Sequence, residues 1–261
     1  MTDVKPLRVE RDGDVAVITL NRPAVRNAIN RDLAAAGCAA LEACADAGAI
    51  VLTGADPAFC AGMDLKNLGV GKLADMPKFR IALMETSVPI IGAVNGAAVT
   101  GGMELALACD FLVASEKARF ADSHMSLGMF PGPAFLDLPR RVGLAWAHEI
   151  LLAGTFVDAD TALRIGLVNH VVPHEELMPN AMQLAHAIAR NEPALVRSVC
   201  DGLAACGEVS LEEARTMHLE YKRQAGNPSK GGKELAAGLE RALRRAREQR
   251  SNQCRGRATD C

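Results

Sequence analysis

Short apolar runs rich in β-branched residues alternate along the first half of the chain with stretches of helical period. Val15-Ala-Val-Ile-Thr-Leu20, Ala49-Ile-Val-Leu-Thr53 and Pro89-Ile-Ile-Gly-Ala-Val94 read as buried strands, as do Asp110–Ala114, Arg119–Ala121 and Val168–Val172. Asn21-Arg22-Pro23 closes the first run as a turn, and Asn30 is placed to cap a helix through about Cys44. A second helix is predicted over Pro77–Glu85, after a polar, glycine-bearing loop from Lys66 to Pro77. Strands separated by helices predict a wound α/β core. From Gly143 onward the pattern turns helical, with Gly154 and Gly166 as C-caps. Ser210-Leu-Glu-Glu213 is a capping box opening a helix to about Gln224. Gly226-Asn-Pro228 breaks it, a charged helix runs to about Arg250, and Ser251–Cys261 reads as a disordered tail. The expected organisation is a core over 1–195, a helical region over 196–250 and a tail over 251–261. Apolar helical faces without an intrachain partner predict packing on another subunit.

Composition narrows the function classes. A chain of 261 residues that is 49% apolar can bury a full core. Its net charge of −2 and 3% aromatic content offer neither a basic field nor stacking platforms, which argues against a nucleic-acid partner. Met1-Thr-Asp-Val-Lys-Pro6 lacks the profile of a signal peptide, and no apolar stretch reaches the roughly eighteen residues of a membrane span. The eight cysteines show no CxxC spacing, and several sit among Ala and Leu as reduced core thiols do. These features together predict a cytoplasmic protein without membrane insertion.

Two glycine-bearing stretches carry the chemistry. Ala58-Phe-Cys-Ala-Gly-Met63-Asp64-Leu65 follows a strand, and Asn95-Gly-Ala-Ala-Val-Thr-Gly101-Gly102-Met-Glu104 opens a helix. Glycine lets the backbone present unpaired N–H groups, and a helix start adds its positive dipole end. Glu104 stands three residues after Gly101, in a run otherwise made of Met, Leu and Ala. Two converging donors beside a nearly buried acid are the parts of an oxyanion hole with an acid/base group.

These stretches, with Thr19–Pro23, Val51–Gly54, Pro89–Asp110, Phe120–Pro131 and Gly154–Val172 in the same order, resemble the enoyl-CoA hydratase/isomerase (crotonase) family. The resemblance implies an α/β fold of the crotonase type, a β-β-α spiral core with a helical C-terminal trimerisation region, assembled as a homotrimer or dimer of trimers. It places the oxyanion donors on the backbone N–H groups of Met63 and Gly101, where they polarise an acyl-thioester carbonyl. It makes Glu104 one of two catalytic glutamates that activate water for addition across a 2,3 double bond. Where the second glutamate belongs, this chain has His124. An imidazole can exchange protons near neutrality, or it can sit neutral and hydrogen-bonded in the site. Asp122 could orient it, although capping a turn is the preferred reading of that residue. Asp137 is a further candidate acid, more simply read as a helix N-terminal charge. For coenzyme A the resemblance points to Ala61, Met63, Asp64 and Leu65, with Lys66, Arg22 and Arg26 as candidate phosphate contacts. Coenzyme A enters as part of the substrate, and no metal or other cofactor is implied.

Other chemistry finds no support. Gly96-Ala-Ala-Val-Thr-Gly101 is followed by Gly102 where a P-loop needs lysine, and there is no G-x-G-x-x-G, HExxH or G-x-S-x-G. The leading expectation is a lyase that hydrates 2-trans-enoyl-CoA to 3-hydroxyacyl-CoA. The alternatives are other thioester-enolate reactions using Glu104 and His124 (isomerisation, decarboxylation or carbon–carbon hydrolysis), and a non-catalytic acyl-CoA-binding relative.

Overall fold

The computed structural model describes residues 5–64, 66, 77–207, 209–224, 239–240 and 243–244. The apolar runs build a six-stranded sheet from Leu7–Asp12 (β1), Val15–Leu20 (β2), Ala49–Gly54 (β3), Ile90–Val94 (β5), Phe111–Ser115 (β7) and His170–Val172 (β10), in that spatial order. Only the β1–β2 pair is antiparallel. A smaller sheet orders Ala58–Cys60 (β4), Ala97–Val99 (β6), Arg119–Ala121 (β8) and Val157–Asp158 (β9), with the first three parallel.

Each central strand of the large sheet turns a short corner into a strand of the small one: β3 into β4, β5 into β6, β7 into β8. Helices Arg31–Ala43 (α1), Pro77–Glu85 (α2) and Gly101–Leu107 (α3) precede or follow these turns. This is the β-β-α spiral that the resemblance implies. β3 and β5 are buried at every position, which is why they read as continuous apolar runs rather than alternating ones. One face meets the main core, with Leu52, Phe59, Phe79, Met103 and Phe120. The other packs with Leu177–Ala189 (α6), whose Leu177, Ala181 and Ala185 cluster with Val51, Ile91 and Val113.

Several predicted features hold. Asn30 accepts from the Leu33 N–H at 3.0 Å and caps α1. Gly154 and Gly166 lie in the left-handed region at φ 63° and 79°. The capping box forms at the start of Leu211–Gln224 (α8), where the Ser210 N–H donates to Glu213 Oε2 at 3.0 Å and the Glu213 N–H to Ser210 Oγ at 3.3 Å. The six described cysteines are free thiols, with Cys44, Cys60 and Cys109 buried. No helix of the described residues is long and apolar enough to cross a membrane.

Other features differ. β1 has an exposed polar face, and β4, β6 and β9 are too short to show a period, so none of the four was expected. The helical region begins earlier than Gly143. Ala134–His148 (α4) starts at Ala134, runs through Pro139 and breaks at Gly143 (φ 78°, ψ 164°). Buried Ala134 and Leu138 fasten its first turns to the core, which outweighs the missing donor at Pro139. Ala159–Arg164 (α5) and Pro193–Cys206 (α7) complete the helices. Internal contacts group residues 1–200 and 201–261 as two units. The 67–76 part of the predicted loop, Leu65, the Gly226-Asn-Pro228 break and the tail from Ser251 lie outside the described residues, as does most of the charged helix to Arg250.

Candidate active site

Three parallel strands of the small sheet end side by side, and the candidate residues follow those ends. Met63 comes after β4, Gly101 after β6, and Asp122 and His124 after β8. Registry brings Val99 opposite Ala121, so the Gly101 and Asp122 segments leave the sheet together.

The Met63 and Gly101 backbones are in contact. A Cβ on Gly101 would lie 3.5 Å from Gly62 Cα and 3.7 Å from Met63 N. Gly62 adopts φ 90°, which an L side chain rarely takes, and a Cβ there would meet the Val99 carbonyl at 2.8 Å. Gly102 is equally constrained, since its Cβ would fall 2.0 Å from the Cys60 carbonyl oxygen. The Ile29 N–H donates to the Gly62 carbonyl at 2.7 Å and the Asp64 N–H to the Ile29 carbonyl at 2.9 Å. In that parallel bridge the Met63 N–H faces away from Ile29. Among the described residues neither the Met63 nor the Gly101 N–H has an acceptor.

Glu104 sits one helical turn after Gly101, on the same face of α3. It is partly buried; Oε1 takes a long 3.5 Å contact from the Ala134 N–H, and a Cβ on Gly132 would come within 2.4 Å of that oxygen. Burial above all pushes the Glu104 carboxyl above its ordinary pKa. The Ala134 N–H and a charge on His124 pull it back, Asp122 adds to the rise, and Arg80 opposes it.

His124 is 8% exposed and Asp122 fully buried. The Asp122 carboxylate does more than cap a turn, which corrects the preferred reading. Oδ1 accepts the His124 backbone N–H at 2.9 Å, and Oδ1 and Oδ2 lie 2.9 and 3.0 Å from His124 Nδ1. One carboxylate thus fixes both the backbone and the ring.

Thr100 ties this segment to the Gly101 amide. Its Oγ1 is 2.7 Å from Ser123 Oγ and accepts the Ser123 N–H at 3.1 Å, while its own N–H donates to the Ala121 carbonyl at 2.8 Å. Thr100 holds φ 53°, ψ −113°, a strained conformation for a β-branched residue.

Asp137, in the first turn of α4, pairs with Arg80 of α2, a residue the sequence reading passed over. An arginine set between Phe79 and Ile81 on a core-facing helix was the available signal. Arg80 Nε is buried without an acceptor among the described residues.

The expected coenzyme A contacts fall into two sets. The Ala61 and Asp64 N–H groups donate to the Arg26 and Ile29 carbonyls, and the Asp64 carboxylate holds the Arg22 guanidinium at 3.0 Å. Arg26 takes a left-handed φ of 51°, and Lys66 is exposed. Arg22 also donates to the Ala28 carbonyl, so its charge is committed within the protein.

The model of the family described as enoyl-CoA hydratase/isomerase matches residues 10–242. The chain belongs to that family. It is 38% identical to the 2,3-dehydroadipyl-CoA hydratase of Escherichia coli, over 79% of this chain and 84% of that protein. It is 37% identical to the short-chain-enoyl-CoA hydratase of Clostridium acetobutylicum, over 72% and 77%. The enoyl-CoA hydratase of Bacillus anthracis, a solved structure, superposes with a TM-score of 0.83 at 30% identity, covering 92% of this chain and 96% of that one. The spiral and its two glycine segments are therefore those of an enoyl-CoA hydratase/isomerase.

Proposed function

We propose that this chain is a lyase that hydrates 2-trans-enoyl-CoA to 3-hydroxyacyl-CoA. The observation that carries the reading is the contact between the Met63 and Gly101 segments, with both amides lacking an acceptor and Glu104 one turn away. A thioester oxygen seated between those amides would meet fixed dipoles as negative charge develops on it. One such donor contributes about 3–4 kcal/mol of transition-state stabilisation. Glu104 and His124 would supply the acid and the base for adding water across C2 and C3. The adenosine and pantetheine of coenzyme A are assigned to the Ala61–Lys66 segment with Arg26, without a metal or further cofactor.

The assembly we propose is a homotrimer or dimer of trimers, working in the cytoplasm. Phe130, Phe135, Leu136, Leu144, Leu152 and Phe156 are all exposed on the single chain. Apolar surface of that kind is normally covered by association.

The reading is tested by following the conjugated-enoyl absorbance of crotonyl-CoA on addition of the protein. The expected result is loss of absorbance with multiple turnovers and a fall in kcat of roughly a thousandfold in Glu104→Gln. Tight acyl-CoA binding without any turnover would make the chain a non-catalytic relative instead.

A further inference from the structure

The contact between His124 and Asp122 constrains where the ring carries its proton. We propose that Asp122 is a positioning residue that fixes the proton of His124 on Nδ1, so that Nε2 is the base for the attacking water and Glu104 is the acid at C2. This rests on the hydratase reading and deepens it.

An ionised carboxylate is an acceptor only, so a ring nitrogen 2.9–3.0 Å from both Asp122 oxygens must carry the hydrogen. In the neutral ring the other nitrogen then keeps its lone pair. The ring cannot easily rotate out of this tautomer. Asp122 Oδ1 also holds the His124 N–H, and the His124 carbonyl accepts from the Leu127 and Met129 N–H groups at 3.0 and 2.9 Å. Ser123, next in the chain, is fixed to Thr100. Glu104, in turn, sits where burial favours the protonated form.

The step balances. Water loses a proton to His124 Nε2 as its oxygen bonds to C3. The C2–C3 π electrons move into the thioester, whose oxygen carries the charge between the two amides. The Glu104 O–H bond breaks, and its proton goes to C2. Imidazolium and carboxylate remain, and passing one proton from His124 to Glu104 through water restores both.

Asp122→Asn separates positioning from turn-capping. The Asn oxygen can still accept the His124 N–H, while its amide faces Nδ1 with a donor and drives the ring to the Nε2–H tautomer. The expected result is a fall in crotonyl-CoA kcat of about a hundredfold to ten-thousandfold, with KM within about threefold. The imidazole ¹⁵N spectrum of the histidine-labelled wild type, with His124 assigned by its loss in His124→Gln, should show Nδ1–H; Asp122→Asn should show Nε2–H. Exchange of the C2 hydrogen of butyryl-CoA in D₂O should persist in Asp122→Asn and vanish in Glu104→Gln, because it needs only the amides and the carboxylate form of Glu104, which takes the C2 proton and returns a deuteron. A wild-type Nε2–H signal would overturn the proposal even if Asp122→Asn failed to fold. So would an Asp122→Asn kcat within about fivefold of wild type, or C2 exchange lost together with hydration in that variant. Failure of the hydratase reading looks different: no turnover by the wild type, with the ¹⁵N spectrum still reporting the Asp122 contact.

Discussion

Three histidines within residues 1–200 pair with an aspartate; His186 meets Asp12 near the surface, and the other two invite opposite conclusions. His174 Nδ1 is 3.0 Å from Ser115 Oγ, and its Nε2 is 3.3 Å from Asp56 Oδ2. By residue type that is the serine–histidine–aspartate order of a hydrolase. Its burial is inverted for such a role. Ser115 is fully buried and accepts the Lys117 N–H, while the Asp56 side chain is 65% exposed. A nucleophile sealed in the core, with its orienting acid in water, cannot attack a substrate. The His124–Asp122 pair has the reverse arrangement, with the acid sealed and the ring slightly exposed, just past the strand end that pairs with the strand leading to Gly101. Identical groups at similar distances become a fastening in one place and candidate chemistry in the other. The order of burial and the neighbouring backbone make the difference.

The contrast is tested most sharply by removing each ring. His124→Ala should lower crotonyl-CoA kcat by about a thousandfold, while His174→Ala should leave kcat within about twofold and cost about 1 kcal/mol in thermal unfolding. Equal kinetic losses would erase the distinction. A smaller effect is expected at Gly132, whose added Cβ would push against the movable end of Glu104. Gly132→Ala should cost about a hundredfold in kcat through misplacement of the acid; unchanged kcat in a folded variant would show that Glu104 need not be held there.

Next comes a change in stability rather than rate. Because the folded Glu104 pKa is raised, the unfolded chain releases its proton first as pH climbs past the ordinary value near 4.5. Stability is then lost until the folded pKa is passed, and the deficit persists above it. Glu104→Gln, whose side chain ionises in neither state, should melt higher than wild type at pH 7, by something on the order of 1 kcal/mol. The gap should close below about pH 4; a lower melting point at pH 7 would contradict the sign. The smallest effect belongs to Asp56. Burial is the largest single influence on it and works upward, but hydrogen bonds from Asn95 and His174 together hold it below the usual carboxylate value. Its contribution is present above about pH 4 and lost as pH falls further, and exposure limits it to under about 1 kcal/mol. Urea titrations of Asp56→Asn at pH 7 and pH 3 should differ from wild type only at the higher pH.

What could be read in the sequence follows from how far each signal travels along the chain. Buried strands such as Ala49–Gly54 and Ile90–Val94 announce themselves because both faces are apolar. The Asn30 cap and the Ser210–Glu213 box are local, so spacing alone reveals them. Gly101 and Glu104 share a helical turn, and their juxtaposition was visible for the same reason. The strands of the small sheet were mostly hidden, since two or three residues carry no period and only registry with distant partners makes them strands. Asp122 was seen but undervalued. Two residues from His124, it could satisfy a turn without touching the ring, and only the fold around Thr100 and Ser123 brings the two side chains together. The Arg80–Asp137 pair spans 57 positions, beyond any local pattern.

The hydroxyl of Thr100 has a mechanical consequence. One short side chain bridges the strand end that presents the Gly101 amide and the strand end that presents the imidazole, like a pin shared by two jaws. Whatever draws the amide toward a carbonyl oxygen also drags on the ring, so grip and proton transfer share a single frame of reference. A glycine at position 100 would ease the twisted backbone and remove the pin, leaving each jaw to settle by itself.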